Sequence, residues 1–160
     1  MTIKAGDRIP SMNLRHMTAD GPKEVGTDEY FGGKKVVLFA VPGAFTPTCS
    51  VRHLPGFVEK ADAMKAKGVD KIACVAVNDV FVMDAWGKSQ NCDGKVDMLS
   101  DGNADFAKAL GLELDATKGG LGIRSKRYAM IVEDGVVKQV DVEAPGAFEV
   151  SSAEHVIGLL

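Results

Sequence analysis

The stretch Val36-Val37-Leu38-Phe39-Ala40-Val41-Pro42-Gly43-Ala44-Phe45-Thr46-Pro47-Thr48-Cys49 organises this chain. It opens with six apolar residues and reaches a Pro42-Gly43 turn, the pattern of a short buried strand. Pro47 suits the first turn of a helix, where its missing N–H is no loss. The unpaired amides and the dipole at a helix start favour an anion, and Cys49 stands there. A cysteine in that position has two readings. It is a small buried filler of a strand–helix junction, or it is a thiol that its surroundings help to ionise.

Length and composition narrow the classes. At 160 residues the chain reads as one domain, 1–160, long enough to bury roughly two thirds of its unfolded surface without disulfides. Hydrophobic residues at 46% and charged residues at 26% are ordinary globular values, and a net charge of -3 gives no basic excess for nucleic acid. Met1-Thr2-Ile3-Lys4-Ala5-Gly6-Asp7-Arg8 lacks the apolar core of a secretory signal. No apolar run approaches the roughly 20 residues that span a bilayer. The expectation is a soluble, cytoplasmic protein with no membrane partner.

Cys49, Cys74 and Cys92 are odd in number and form no C-x-x-C pair, while His16, His53 and His155 are scattered without neighbouring ligands. Neither a disulfide framework nor zinc is expected, and no cofactor. In a reducing compartment such cysteines are core filler or reactive.

Along the chain, residues before Lys35 read as an edge strand or hairpin with a turn at Asp20-Gly21-Pro22. Thr27 to Phe31 reads as one helical turn stopped by Gly32-Gly33. After Cys49, Val51, Leu54, Phe57, Val58, Ala61 and Met64 fall at helical spacing as far as Lys67-Gly68, with a kink expected at Pro55. Lys71 to Val77 is a second strand, capped by Asn78-Asp79 into a helix through Trp86 to Gln90. A weaker strand at Val96 to Leu99 and a helix through Phe106 to Leu110 follow. Gly111 to Ser125, with Gly119-Gly120 and Gly122, reads as an irregular loop.

Tyr128 to Glu133 and Val136 to Val142 flank Asp134-Gly135 as a hairpin. Ser151-Ser152-Ala153-Glu154 offers a capping box for a last helix ending at Leu160. The sum is an α/β architecture, with parallel βαβ units joined to an antiparallel hairpin.

The segment Pro42-Gly43-Ala44-Phe45-Thr46-Pro47-Thr48-Cys49-Ser50, with its P-x-x-x-T-x-x-C spacing, resembles the active-site motif of the peroxiredoxins. His53-Leu54-Pro55-Gly56-Phe57, Val77-Asn78-Asp79 with Trp86-Gly87, and Gly122-Ile123-Arg124-Ser125-Lys126-Arg127-Tyr128 narrow the likeness to the type II class. The resemblance covers nearly the whole chain and implies a thioredoxin-like fold, a central mixed sheet flanked by helices. It implies a thiol-dependent peroxidase whose Cys49 is oxidised to a sulfenic acid by hydrogen peroxide or an organic hydroperoxide.

By the same resemblance Thr46 offers its hydroxyl to the peroxide, Arg127 supplies fixed positive charge and Pro42 shields the thiolate. Arg127 is favoured over Arg124 because the family's arginine immediately precedes the aromatic residue that opens the next strand, here Tyr128. Arg124 is the runner-up, or a dimer contact. His53 is given a supporting role rather than that of a base, since a thiolate already formed needs none. Trp86 reads as core or pocket wall, and Cys74 and Cys92 as bystanders.

Two-cysteine members of the class carry a resolving cysteine near the C-terminal helix. Here that region reads Pro145-Gly146-Ala147-Phe148-Glu149-Val150, with none. An external thiol is therefore implied, glutathione with glutaredoxin or else thioredoxin, and a homodimer is implied by family alone. The rival readings are a thioredoxin-like thiol–disulfide oxidoreductase, which lacks its second cysteine here, and a peroxide sensor that relays oxidation to a partner.

Overall fold

The computed structural model describes residues 2–160. The elements in order are β1 (Asn13–Thr18), β2 (Gly21–Gly26), α1 (Thr27–Phe31), β3 (Lys35–Ala40), a π-helical turn (Cys49–His53) running into α2 (Leu54–Ala66), and β4 (Lys71–Ala76). There follow α3 (Val80–Ser89), β5 (Asp97–Ser100), α4 (Asp105–Leu110), β6 (Glu113–Asp115), a 3-10 turn (Thr117–Gly119), β7 (Ile123–Ser125), β8 (Tyr128–Glu133), β9 (Val136–Val142) and α5 (Ala153–Ile157).

Seven strands form one mixed sheet in the order β2-β1-β5-β4-β3-β8-β9. β3, β4 and β5 run parallel, whereas β8, β9, β1 and β2 are joined by antiparallel pairings. This is the mixed sheet flanked by helices that the resemblance implies.

Side chains alternate across the central strand. Val37 and Phe39 face a core built with Phe57, Ala61 and Met64 of α2, Trp86 of α3 and Val156 of α5. Val36, Leu38 and Ala40 face a second core with Phe31 of α1 and Phe106 and Leu110 of α4. Helices thus cover both faces of β3, which explains its unbroken apolar run. Its pairing with β8 matters most for the site. The two strands are antiparallel with Ala40 opposite Tyr128, so whatever follows β3 meets whatever precedes β8.

Several local expectations are corrected. The leading segment is a hairpin, one of the two forms expected, but its turn is at Ala19-Asp20 and Pro22 stands inside β2, which the sheet tolerates because β2 is an edge. Segment 111–125 is not irregular: β6 and β7 pair as a short antiparallel ribbon, turned by Gly120 and Gly122 at φ 77° and 69°.

The kink expected at Pro55 takes the form of the π-helical turn before it, in which the Leu54 amide donates to the Cys49 carbonyl five residues back. Pro55 has no N–H for the Val51 carbonyl and its ring would crowd that carbonyl, and a widened turn relieves both. The last helix stops at Ile157, and its cap is Ser152, whose hydroxyl accepts from the His155 amide at 3.1 Å. Ser151 is thereby released from the expected capping box and serves elsewhere.

Candidate active site

Cys49 opens the π-helical turn beyond β3, and Arg127 is the residue immediately before β8. The antiparallel pairing of the two strands brings them together. Arg127 Nη2 donates to Cys49 Sγ at 3.0 Å, across 78 positions of sequence. Cys49 itself has no exposed surface. Arg127 thus places a cationic hydrogen-bond donor on a sulfur that water does not reach.

The guanidinium is itself held. Its Nη1 lies 2.7 Å from His53 Nδ1, and His53 Nε2 lies 2.8 Å from the Ser151 carbonyl oxygen. A carbonyl only accepts, so Nε2 carries the proton and Nδ1 is the acceptor for arginine. The imidazole is neutral: burial first, and the Arg127 charge second, lower its pKa to about 3. His53 is thus an orienting acceptor, in keeping with the supporting role expected of it. The wider π turn sets Cys49 and His53, four apart, where both reach one guanidinium.

The turn between β3 and the helix is fixed from several sides. Thr46 donates its hydroxyl to the Gly43 carbonyl at 2.7 Å, so the expectation that it offers this proton to a peroxide changes: the oxygen's lone pairs are what remain for a ligand. Arg124 donates to the Pro42 carbonyl at 3.3 Å and to that of Leu121 at 2.9 Å, which makes it a brace for the turn and not a partner of the sulfur. A Cβ at Gly43 would stand 2.9 Å from Arg124 Nη1 and 3.1 Å from Thr46 Cγ2, so a larger residue here would push the Arg124 guanidinium aside. Phe45 pays for the tight turn with a left-handed backbone, φ 63°. The amides of Thr48 and Cys49 stand ahead of the first helical bond, Ser50 N to Thr46 O at 2.9 Å.

Sequence reasoning missed two supports. Asn78 Oδ1 accepts from the Ala44 amide at 2.9 Å, pinning the turn to the start of α3. Trp86, fully buried, donates from Nε1 to Ser50 Oγ at 3.0 Å, and Gln90 donates to the Ser50 carbonyl at 3.1 Å. Asn78 was legible as a helix cap, a role that Asp79 fills by accepting from Val82, and as part of the family-like stretch Val77-Asn78-Asp79, but not as a support of the turn.

A family model described as Redoxin matches residues 4–157. Peroxiredoxin-2E-2, chloroplastic, of Oryza sativa subsp. japonica is 54% identical over 164 residues, covering 99% of this chain and 73% of that protein. This chain belongs to the peroxiredoxins. Peroxiredoxin-2B of Arabidopsis thaliana is 45% identical, with 99% of this chain and 98% of that protein covered. The crystal structure of reduced Prx3 from Vibrio vulnificus in complex with hydrogen peroxide superposes with a TM-score of 0.96 at 54% identity, covering 99% of both chains. The function is that of a thiol-dependent peroxidase.

In this peroxiredoxin a cavity of about 180 Å³ is lined by Pro42, Thr48, Arg127, Glu143 and residues 144–147. A larger one, about 600 Å³, lies at the opposite end of the parallel strands among Tyr30, Lys34, Lys71, Cys92 and Asp97. Size would choose the second. Chemistry chooses the first, because it has in its wall Arg127, the residue that donates to Cys49 Sγ.

The other two cysteines lie away from Arg127 in the sequence and the sheet. Cys74 is mid-strand in β4, and burial pushes its thiol well above the usual range. Burial likewise raises Cys92 to about 11. No group of three or more acidic, histidine or cysteine side chains suited to a metal occurs among the described residues. No helix among them is long and apolar enough to cross a membrane.

Proposed function

We propose that Cys49 is the peroxidatic nucleophile, with Arg127, Thr46 and Pro42 as its working partners. The observation that carries this is the 3.0 Å contact between Arg127 Nη2 and Cys49 Sγ. The thiolate attacks the terminal oxygen of the hydroperoxide. An S–O bond forms as the O–O bond breaks; sulfur is oxidised to the sulfenic acid and the leaving hydroxide or alkoxide takes up a proton as water or alcohol. Arg127 stabilises charge that moves from sulfur to the leaving oxygen, and Thr46 accepts from the peroxide O–H. Pro42 walls the cavity against bulk water.

A free thiol near pKa 8.5 is only about 3% ionised at pH 7, so full ionisation gains roughly 30-fold, part of which is lost with lower nucleophilicity. Alignment of the peroxide and stabilisation of the leaving oxygen supply the remainder.

Reduction of the sulfenic acid is assigned to an external thiol, glutathione with glutaredoxin or else thioredoxin. Its support is the position of the other cysteines: Cys74 is sealed in β4 and Cys92 lines the cavity at the far end of the sheet. Because Cys49 is covered, the turn around it or the loop after Glu143 has to open for that step. A coupled NADPH assay comparing glutaredoxin with thioredoxin tests the reductant. Turnover with glutathione and glutaredoxin should survive Cys74→Ser with Cys92→Ser; if it is lost while one peroxide is still consumed, an internal thiol resolves Cys49.

A homodimer belongs to the same proposal. Phe45 and Phe81 are 56% and 64% exposed, and Leu121 and Ile123 are exposed beside Arg124, which braces the Pro42-Gly43 turn. An apolar rim of this kind around the thiol site suits a second copy, and sedimentation of Phe45→Ser against the parent checks it. A cytoplasmic setting is supported by the three free thiols. Cell fractionation tests it, since the rice relative is named as chloroplastic.

A further inference from the structure

Glu143 follows β9 directly and is only 7% exposed. Its carboxylate accepts from the amides of Glu149 at 2.8 Å, Val150 at 2.9 Å and Ser151 at 2.8 Å, and from Ser151 Oγ at 2.7 Å. Burial pushes its pKa up, but the donors at Glu149, Ser151 and Val150 more than reverse this, so the group stays ionised. Its own amide donates to the Arg127 carbonyl at 2.9 Å. One residue therefore grips Arg127 at both ends: directly at the backbone, and at the guanidinium through Ser151 and His53. The loop it closes also lays Phe148 against the site, 4.9 Å from the His53 ring and 5.9 Å from Arg127 Cζ.

We propose that Glu143 is a positioning residue for Arg127, a latch by which closure of loop 144–151 sets the reactivity of Cys49. This rests on the assignment of Arg127 to the thiolate. Latched, Ser151 presents its carbonyl to His53, His53 keeps Nδ1 turned to the guanidinium, and the guanidinium stays on sulfur. Unlatched, the guanidinium loses its orienting acceptor and Phe148 leaves the His53 ring.

The sign of the effect separates this from the simpler roles. A carboxylate acting only through space disfavours a nearby thiolate, so its removal would ease ionisation of Cys49 and speed alkylation at low pH. A carboxylate acting through Arg127 does the reverse.

The experiment measures the pH midpoint of iodoacetamide alkylation of Cys49 and the rate of its oxidation by hydrogen peroxide above that midpoint, in Glu143→Ala, Glu143→Gln and Ser151→Ala. In Glu143→Ala the midpoint should rise by about one pH unit. Oxidation should slow by roughly tenfold, less than the hundredfold that misplacing a reacting group by about 1 Å costs. Glu143→Gln, which keeps the shape, and Ser151→Ala, which keeps the carbonyl that His53 needs, should move both readings the same way by less. If Glu143→Ala does not fold, these two carry the test. A lowered midpoint overturns the proposal in favour of a plain charge. A lower melting temperature with midpoint and rate unchanged overturns it in favour of a structural staple. Arg127→Ala runs alongside: if it oxidises at the parent rate, the site assignment itself falls, whereas if it is slow and the Glu143 variants are normal, only the latch falls.

Discussion

Cys49 and Cys74 have the same solvent exposure, none, and belong to the same apolar cluster, yet their partners differ. Cys74 lies opposite Phe39 in the β3–β4 pairing, and burial holds it as a neutral thiol. Cys49 lies just past the end of β3, where the sheet stops and the chain before β8 brings in Arg127. Burial alone silences a thiol, whereas burial with a cationic donor is the setting in which we propose that Cys49 acts as the nucleophile. The same contrast explains His53. Beside a guanidinium and away from water it stays neutral, so it orients the arginine without competing for charge.

Exchanging these features one at a time should break the contrast, beginning with the sulfur. Cys49→Ser should abolish NADPH-coupled peroxide turnover, and residual activity would mean that another cysteine reacts. Acid should act next most strongly, through His53. Its folded pKa of about 3 lies below the unfolded 6.5, so the unfolded state binds the extra proton between these values. The stability that neutral His53 contributes is complete above pH 6.5 and is lost progressively as pH falls toward 3. Urea unfolding at pH 7 and pH 4 should show the parent losing more than His53→Gln; equal losses would contradict a buried neutral histidine.

Smaller effects belong to the turn. Thr46→Val removes the acceptor but keeps the shape, and should slow peroxide oxidation about tenfold, the worth of one hydrogen bond of about 1–1.5 kcal/mol. Gly43→Ala forces its new methyl against Arg124 Nη1, 2.9 Å away, and should cost a few-fold in the same rate. Cys74→Ser should leave the oxidation rate within about twofold while lowering unfolding stability by about 1–3 kcal/mol for a hydroxyl in an apolar place.

The strand, the helix start and the thiol were all legible in Val36 to Cys49, because apolar runs, proline and glycine act locally. Arg127 was legible through resemblance and its place before Tyr128. Its contact with sulfur, by contrast, depends on β3 and β8 being antiparallel neighbours. The π-helical turn was half visible: Pro55 signals a disturbed helix but not whether it kinks or widens. The ribbon at β6 and β7 was hidden by its glycines, which serve its turn. Glu143 and Ser151 carried no local signal of their joint role, since the bonds linking them depend on how the loop after β9 folds back. The capping-box pattern at Ser151 pointed to a different partner.

Trp86, the one tryptophan, donates to Ser50 beside Cys49 and so reports on the site. Stopped-flow tryptophan fluorescence with hydrogen peroxide, run on Arg127→Ala and Arg124→Ala in parallel, tests the central claim most directly. Loss of the charge on sulfur should slow Arg127→Ala by about a hundredfold or more, the scale of removing one donor to a developing oxyanion. Loss of the brace should slow Arg124→Ala only a few-fold. Oxidation of Arg127→Ala at the parent rate, or a collapse confined to Arg124→Ala, would contradict the account.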